Sequence, residues 1–78
     1  MIRYFFDLVR DGQVTADDDG LLLADAKSAR AEASVALAEM AREEFRSDRL
    51  TSRLAISVRT GEGPVCEAAF QWTSTALA

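Results

Sequence analysis

Histidine is missing from this 78-residue chain, and cysteine, proline, tryptophan and tyrosine each occur once. Without histidine, a serine or cysteine nucleophile has lost its usual activating base. A single cysteine forms no intrachain disulfide and offers no Cys pair to zinc. No Gly-rich phosphate loop is present, and no apolar run approaches the length of a membrane span. Cationic excess is also missing: the net charge of −4 disfavours non-specific binding to DNA or anionic membranes, although it leaves room for a local basic patch. The opening residues, MIRYFFDLVRD, do not follow the charged, apolar, small-residue order of a signal peptide. A reduced cytoplasmic setting is therefore expected. A chain of this length forms one domain, residues 1–78, with a modest core. With no disulfide or metal to add stability, oligomerisation is the expected source.

What is present is organised around Asp25 to Arg49, DAKSARAEASVALAEMAREEFRSDR. Ala, Leu, Met, Glu and Arg fill it, all good helix formers, and neither Gly nor Pro interrupts it. At 100° per residue, Ala26, Ala29, Ala33, Ala36, Leu37 and Met40 share one stripe, which Ala41 and Phe45 widen near the end. Glu32, Glu39, Arg42, Glu43 and Arg46 lie opposite or on the flanks. Asp25 is the expected N-cap. A helix of about 22 residues, roughly 33 Å long, follows. Its small side chains let it lie close to a sheet, so the strands must supply the bulk of the core.

The flanks read as strand and turn. In Ile2 to Arg10, Ile2, Tyr4, Phe6 and Leu8 alternate with Arg3, Phe5, Asp7 and Val9, the first set toward the helix. Asp11-Gly12 is a hairpin turn signal, and Gln13 to Ala16 is a candidate short returning strand. Asp17 to Gly20 is a turn by composition. Leu21 to Leu23 lead into the helix cap, with at least one leucine plugging the core. Beyond the helix, Ser47 to Ser52 is a polar connector with Leu50 as its expected anchor. Arg53 to Thr60 is a strand with Leu54, Ile56 and Val58 facing inward. Gly61 to Gly63 make a hairpin turn, Pro64 stands where its missing amide proton is tolerated, and Val65 to Thr73 close the domain. Ser74 to Ala78 read as a tail. The layered solution is an α+β fold, an antiparallel sheet of three or four strands with one long helix on one face, in the order β, short β, α, β, β. The expected core is Tyr4, Phe6, Leu8, Leu37, Met40, Leu54, Ile56, Val58, Phe70 and Trp72.

The segments RYFFDL, DDDGLLLAD and SARAEASVALAEMAREE together resemble a family of short bacterial proteins of unknown function. Its pattern is a YFFD strand, an acidic turn with glycine, a short apolar step ending in Asp, an Ala-rich helix and two closing strands. Tyr4, Phe5, Phe6 and Asp7 fill the first motif, Asp18, Asp19 and Gly20 the turn, and Asp25 the cap. Leu21-Leu22-Leu23 is greasier than the usual step. The resemblance implies the fold and a bacterial cytoplasmic origin, and it brings no chemistry.

Few residues invite a chemical role. With Gly20 at position 6 of a calcium loop, Thr15, Asp17 and Asp19 occupy positions 1, 3 and 5, but position 12 is Ala26 and the bidentate carboxylate is missing. An acidic solvated turn is the expected state. Asp7, mid-strand among aromatics, is expected to bond a backbone amide or to pair with Arg59 or Arg3, since a carboxylate without a second group rarely makes an active site. Cys66, on the inward face, is expected to act as a small hydrophobe. Trp72 is expected in the core or an interface, with a partner for its indole N–H. No catalytic, cofactor-binding or metal site is expected, and no enzyme.

Two functional classes remain. The first is a small cytoplasmic interaction or structural module that forms a homodimer through the open sheet face, where Phe5, Val9, Val65 and Ala69 cluster, Phe5 being the residue to bury. The second is a nucleic-acid-binding or regulatory domain, against which the acidic charge weighs.

Overall fold

A computed structural model describes residues 1–77. Six elements follow in order: β1 (Ile2–Arg10), β2 (Gln13–Thr15), β3 (Leu21–Leu23), α1 (Ala26–Phe45), β4 (Thr51–Thr60) and β5 (Gly63–Thr73). All strand pairs are antiparallel, and the main sheet runs β2-β1-β4-β5, with β3 also on β1. The fold class is the one the sequence supports, with one addition. Leu21–Leu23, expected as an apolar step, is a strand in register with Ile2–Tyr4. Three leucines with no polar alternation carry no signature that separates strand from step.

The β1–β2 hairpin closes at Asp11-Gly12, both with positive φ (47° and 87°), as a primed two-residue turn requires. Asp11 also extends this hairpin onto β4. Its N–H donates to the Arg53 carbonyl at 3.0 Å, and its carboxylate accepts from the Arg53 N–H at 3.0 Å and from Arg49 at 2.6 Å. These bonds hold the connector after the helix, which Leu50 does not: its side chain is 68% exposed, contrary to expectation. The Ser74 N–H, bonding the Leu50 carbonyl, completes that end of the sheet, so β4 starts at Thr51, two residues before the expected start at Arg53.

Asp25 caps the helix, its Oδ1 accepting the Ser28 N–H at 2.8 Å. The helix lies over β4 and β5 and reaches β3. Ala29, Ala33, Leu37 and Ala41 are buried, and Leu54, Ile56 and Val58 rise against them from β4, with Tyr4 from β1. Phe6, Leu23, Met40 and Phe70 pack on this cluster from its margins. Leu8 and Trp72 are half-buried and lie outside it, Leu8 because the helix lies over β4 and β5 rather than the far end of β1 and Trp72 because it sits at the end of β5 beside Phe45. Ala26 is exposed at the first turn. Among the described residues, no helix is long and apolar enough to cross a membrane.

Candidate functional site

The sheet face away from the helix holds the densest polar network in the molecule. It begins with a gap in β1. Leu8–Arg10 pair with β2 and Ile2–Tyr4 pair with β3, both on the edge away from β4, so on that edge the backbone between them has no strand beside it. The Asp17 side chain fills the gap. Its Oδ2 accepts the Phe6 N–H at 3.0 Å, while its Oδ1 accepts the Asp19 and Gly20 N–H groups at 3.0 and 3.1 Å. A short side chain thus takes the place of a missing neighbouring strand and folds its own turn at the same time.

Asp7 returns the contact. Its Oδ1 accepts the Asp17 N–H at 2.9 Å, and its carboxylate receives Arg59, from Nε at 2.8 Å and Nη2 at 3.3 Å. Arg59 donates further to the Asp17 carbonyl at 3.2 Å, and its guanidinium lies 4.5 Å from the centroid of the Phe5 ring. Arg3 does not reach Asp7; it donates to the Asp19 carbonyl at 2.8 Å. Of the partners the sequence offered Asp7, the backbone amide and Arg59 are both used, and Arg3 serves the turn instead.

Gly20 lets the turn seat against β1. Its φ is +72°, and a Cβ there would fall 2.8 Å from Arg3 Cγ, 3.0 Å from the Tyr4 carbonyl oxygen and 3.1 Å from Phe5 Cε1. Phe5 is consequently not bare: the Gly20 turn and Arg59 lie against its ring, and it is half-buried. The turn's composition does not reveal that it folds back over the strand, so this cover is not legible in the sequence. Val9 is half-buried and Ala55 fully buried, while Val65 and Ala69 are exposed.

The charges follow the bonds. Arg59 holds the Asp7 carboxyl below the usual carboxylate range, with the Asp17 N–H adding to the effect. The Asp17 carboxyl is lowered first by the Phe6 N–H and then by the Gly20 N–H. Arg59 is raised in turn by its bond to Asp7. A carboxylate held ionised in this way is a poor proton carrier at neutral pH. It makes a structural clamp. Asp17, the residue a calcium reading would use, spends both oxygens on N–H groups.

The other singled-out residues lie elsewhere. Cys66 is half-buried on the helix side and lines a shallow pocket of about 240 Å³ with Lys27 and Arg30. Trp72 and Phe70 stack edge-on against Phe45 at 5.2 and 5.6 Å. The Trp72 Nε1 is buried and makes no hydrogen bond, contrary to expectation. Sequence reasoning missed Glu44, which is 4% exposed and pairs with Arg10. Its position four residues after Met40 and three after Ala41 on the buried stripe was the available signal.

The model of the domain-of-unknown-function family DUF6894 matches residues 3–71. The chain belongs to this family. That stretch includes the clamp residues Asp7, Asp17, Gly20 and Arg59. No curated protein and no solved structure matches the chain.

Proposed function

We propose that this member of DUF6894 is a small, non-catalytic cytoplasmic interaction module that works as a homodimer. The contact we assign is the open sheet face around Phe5, Val9, Val65 and Ala69. One observation carries the reading: the single helix covers only the face lined by Leu54, Ile56 and Val58, while Val65 on the other face is 38% exposed, beside an open groove of about 610 Å³ shared with Phe5. Apolar surface of this kind favours burial against a partner, and a twofold contact needs only one self-complementary patch.

The non-catalytic part is supported by Asp7 and Asp17, whose depressed pKa values suit holding a turn and not moving a proton. The half-buried free thiol of Cys66 accords with a reducing compartment. The nucleic-acid alternative loses ground because Arg53 and Arg59 are paired with the Glu67 and Asp7 carboxylates and Arg3 is tied to the Asp19 carbonyl. Sedimentation equilibrium at micromolar concentration tests the proposal. A dimer is expected, and Phe5→Glu should return it to monomer while lowering the melting temperature, because the ring also packs on the Gly20 turn and Arg59. A parent protein that stays monomeric sinks it.

A further inference from the structure

The two edges of the sheet are treated differently. The β1 edge is closed by β2, by β3 and, between them, by the Asp17 carboxylate. Among the described residues nothing closes the β5 edge: Gly63–Thr73 pairs with β4 on one side, and no strand takes the other. Unpaired edges of this length invite strand addition, and proteins usually block them with lysine, proline, bulges or inward charges. Here Pro64 and the irregularity opposite Val58/Arg59 sit at the start of the strand, leaving Cys66–Thr73 regular. No lysine and no inward charge interrupts that stretch. Burial falls off in the same direction. Leu54, Ile56 and Val58 on β4 are buried, whereas Cys66, Ala68, Phe70 and Trp72 on β5 are half-buried, and Phe45, which covers the last two, is 56% exposed.

We propose that the free edge of β5 pairs antiparallel with β5 of a second copy, with the twofold axis at Ala69. The inference rests on the reading of the domain as self-associating, and it is the alternative to the Phe5-face contact, because a single twofold dimer uses only one of the two surfaces. The register follows from side-chain chemistry. With both helices on the same side of the joined sheet, residues of like parity must face each other, so the axis passes through a residue. An axis at Glu67 opposes two carboxylates, and an axis at Phe70 opposes two phenyl rings and sets Ala68 against Trp72. An axis at Ala68 runs Pro64 into the ladder opposite Trp72. The axis at Ala69 keeps Pro64 out. It sets Glu67 opposite Gln71 of the second copy, Ala68 opposite Phe70 and Cys66 opposite Trp72. Each large side chain then meets a small one, and the charged residue meets an amide that donates to it.

Gln71 tests this register directly. Within one chain its Cα partner is Arg53. Gln71→Glu therefore adds an attraction inside the monomer, while at the junction it opposes Glu67 with a second carboxylate, twice by symmetry. Gln71→Lys reverses both signs. Sedimentation equilibrium on the full chain should show Gln71→Glu weakening the dimer by about tenfold and Gln71→Lys tightening it by a similar factor, while the melting of dilute monomer moves the other way. Ala69→Cys in a Cys66→Ser background should oxidise to a covalent dimer. Glu67→Cys should not, because its symmetry mate lies four residues, roughly 13 Å, further along the strand. A dimer lost on Phe5→Glu but unmoved by either Gln71 change overturns the edge pairing and leaves the face contact standing. A dimer that survives Phe5→Glu and follows the Gln71 changes does the reverse, and a monomer removes both.

Discussion

Asp17 closes a gap that the backbone leaves open. Replacing it with Ala strands three N–H groups, those of Phe6, Asp19 and Gly20. A stranded polar group costs on the order of 1–3 kcal/mol when it is shielded from water, and the Phe6 and Gly20 N–H groups are the partly shielded ones. Urea unfolding should show Asp17→Ala losing about 2–3 kcal/mol, with Asp18→Ala close to neutral. Gly20→Ala meets both a positive φ and the Tyr4 carbonyl, so a loss of about 1–3 kcal/mol is expected in the same assay. The clamp also gives the fold an acid limit. Asp7 and Asp17 have folded pKa values below their unfolded ones. The stability they add is fully present above the unfolded value of about 4 and is lost as pH falls through the lower folded values. Urea midpoints should therefore hold between pH 7 and 5 and drop below about pH 4, less steeply in Asp17→Asn. A midpoint flat down to pH 2.5 would contradict the role given to these carboxylates.

At the scale of elements, the helix is the simplest case. Leu37 is 8% exposed against the sheet, so Leu37→Asp buries a carboxylate without a partner and should unfold the domain. Glu43, 71% exposed in a 3.4 Å pair with Arg46, should be replaceable by Ala within about 0.5 kcal/mol. Equal small effects in thermal melts would mean that the faces are misassigned. Arg10 and Glu44 join β1 to the helix end. Arg10→Leu leaves the Glu44 carboxylate buried and unpaired and should cost about 3 kcal/mol, much of it restored by Glu44→Leu in the same chain. These elements differ in how far the sequence foretold them. The helix, its cap at Asp25, the Asp11-Gly12 hairpin and the inward faces of β1 and β4 follow from spacing and local chemistry. The β3 strand and the Asp17 clamp do not, since a three-residue strand has no period and a carboxylate's choice of amide depends on a strand ten residues away. Glu44 was hidden for a related reason: its buried pair is made with Arg10, 34 positions earlier. Leu50 misled because an apolar residue in a polar connector looked like an anchor, while Asp11 does the anchoring.

For the whole molecule, coverage is uneven. Among the described residues, one layer of helix and one of sheet leave a face with Val65 and Ala69 exposed and an edge with β5 unpaired. The β1 side is closed by the chain's own turn, and the open face and the β5 edge are the two contacts proposed for a second copy. Amide hydrogen exchange as a function of concentration tests this most directly. It reads each backbone N–H and separates the two sides of the sheet. If the domain self-associates along β5, alternate amides between Cys66 and Thr73, those not bonded to β4, should slow markedly between dilute and concentrated protein, while Leu54, Ile56 and Val58 stay equally protected at both. Protection that changes around Phe5 and Val9 alone would favour the face contact. Exchange rates identical at every position across that range would contradict self-association and the functional reading built on it.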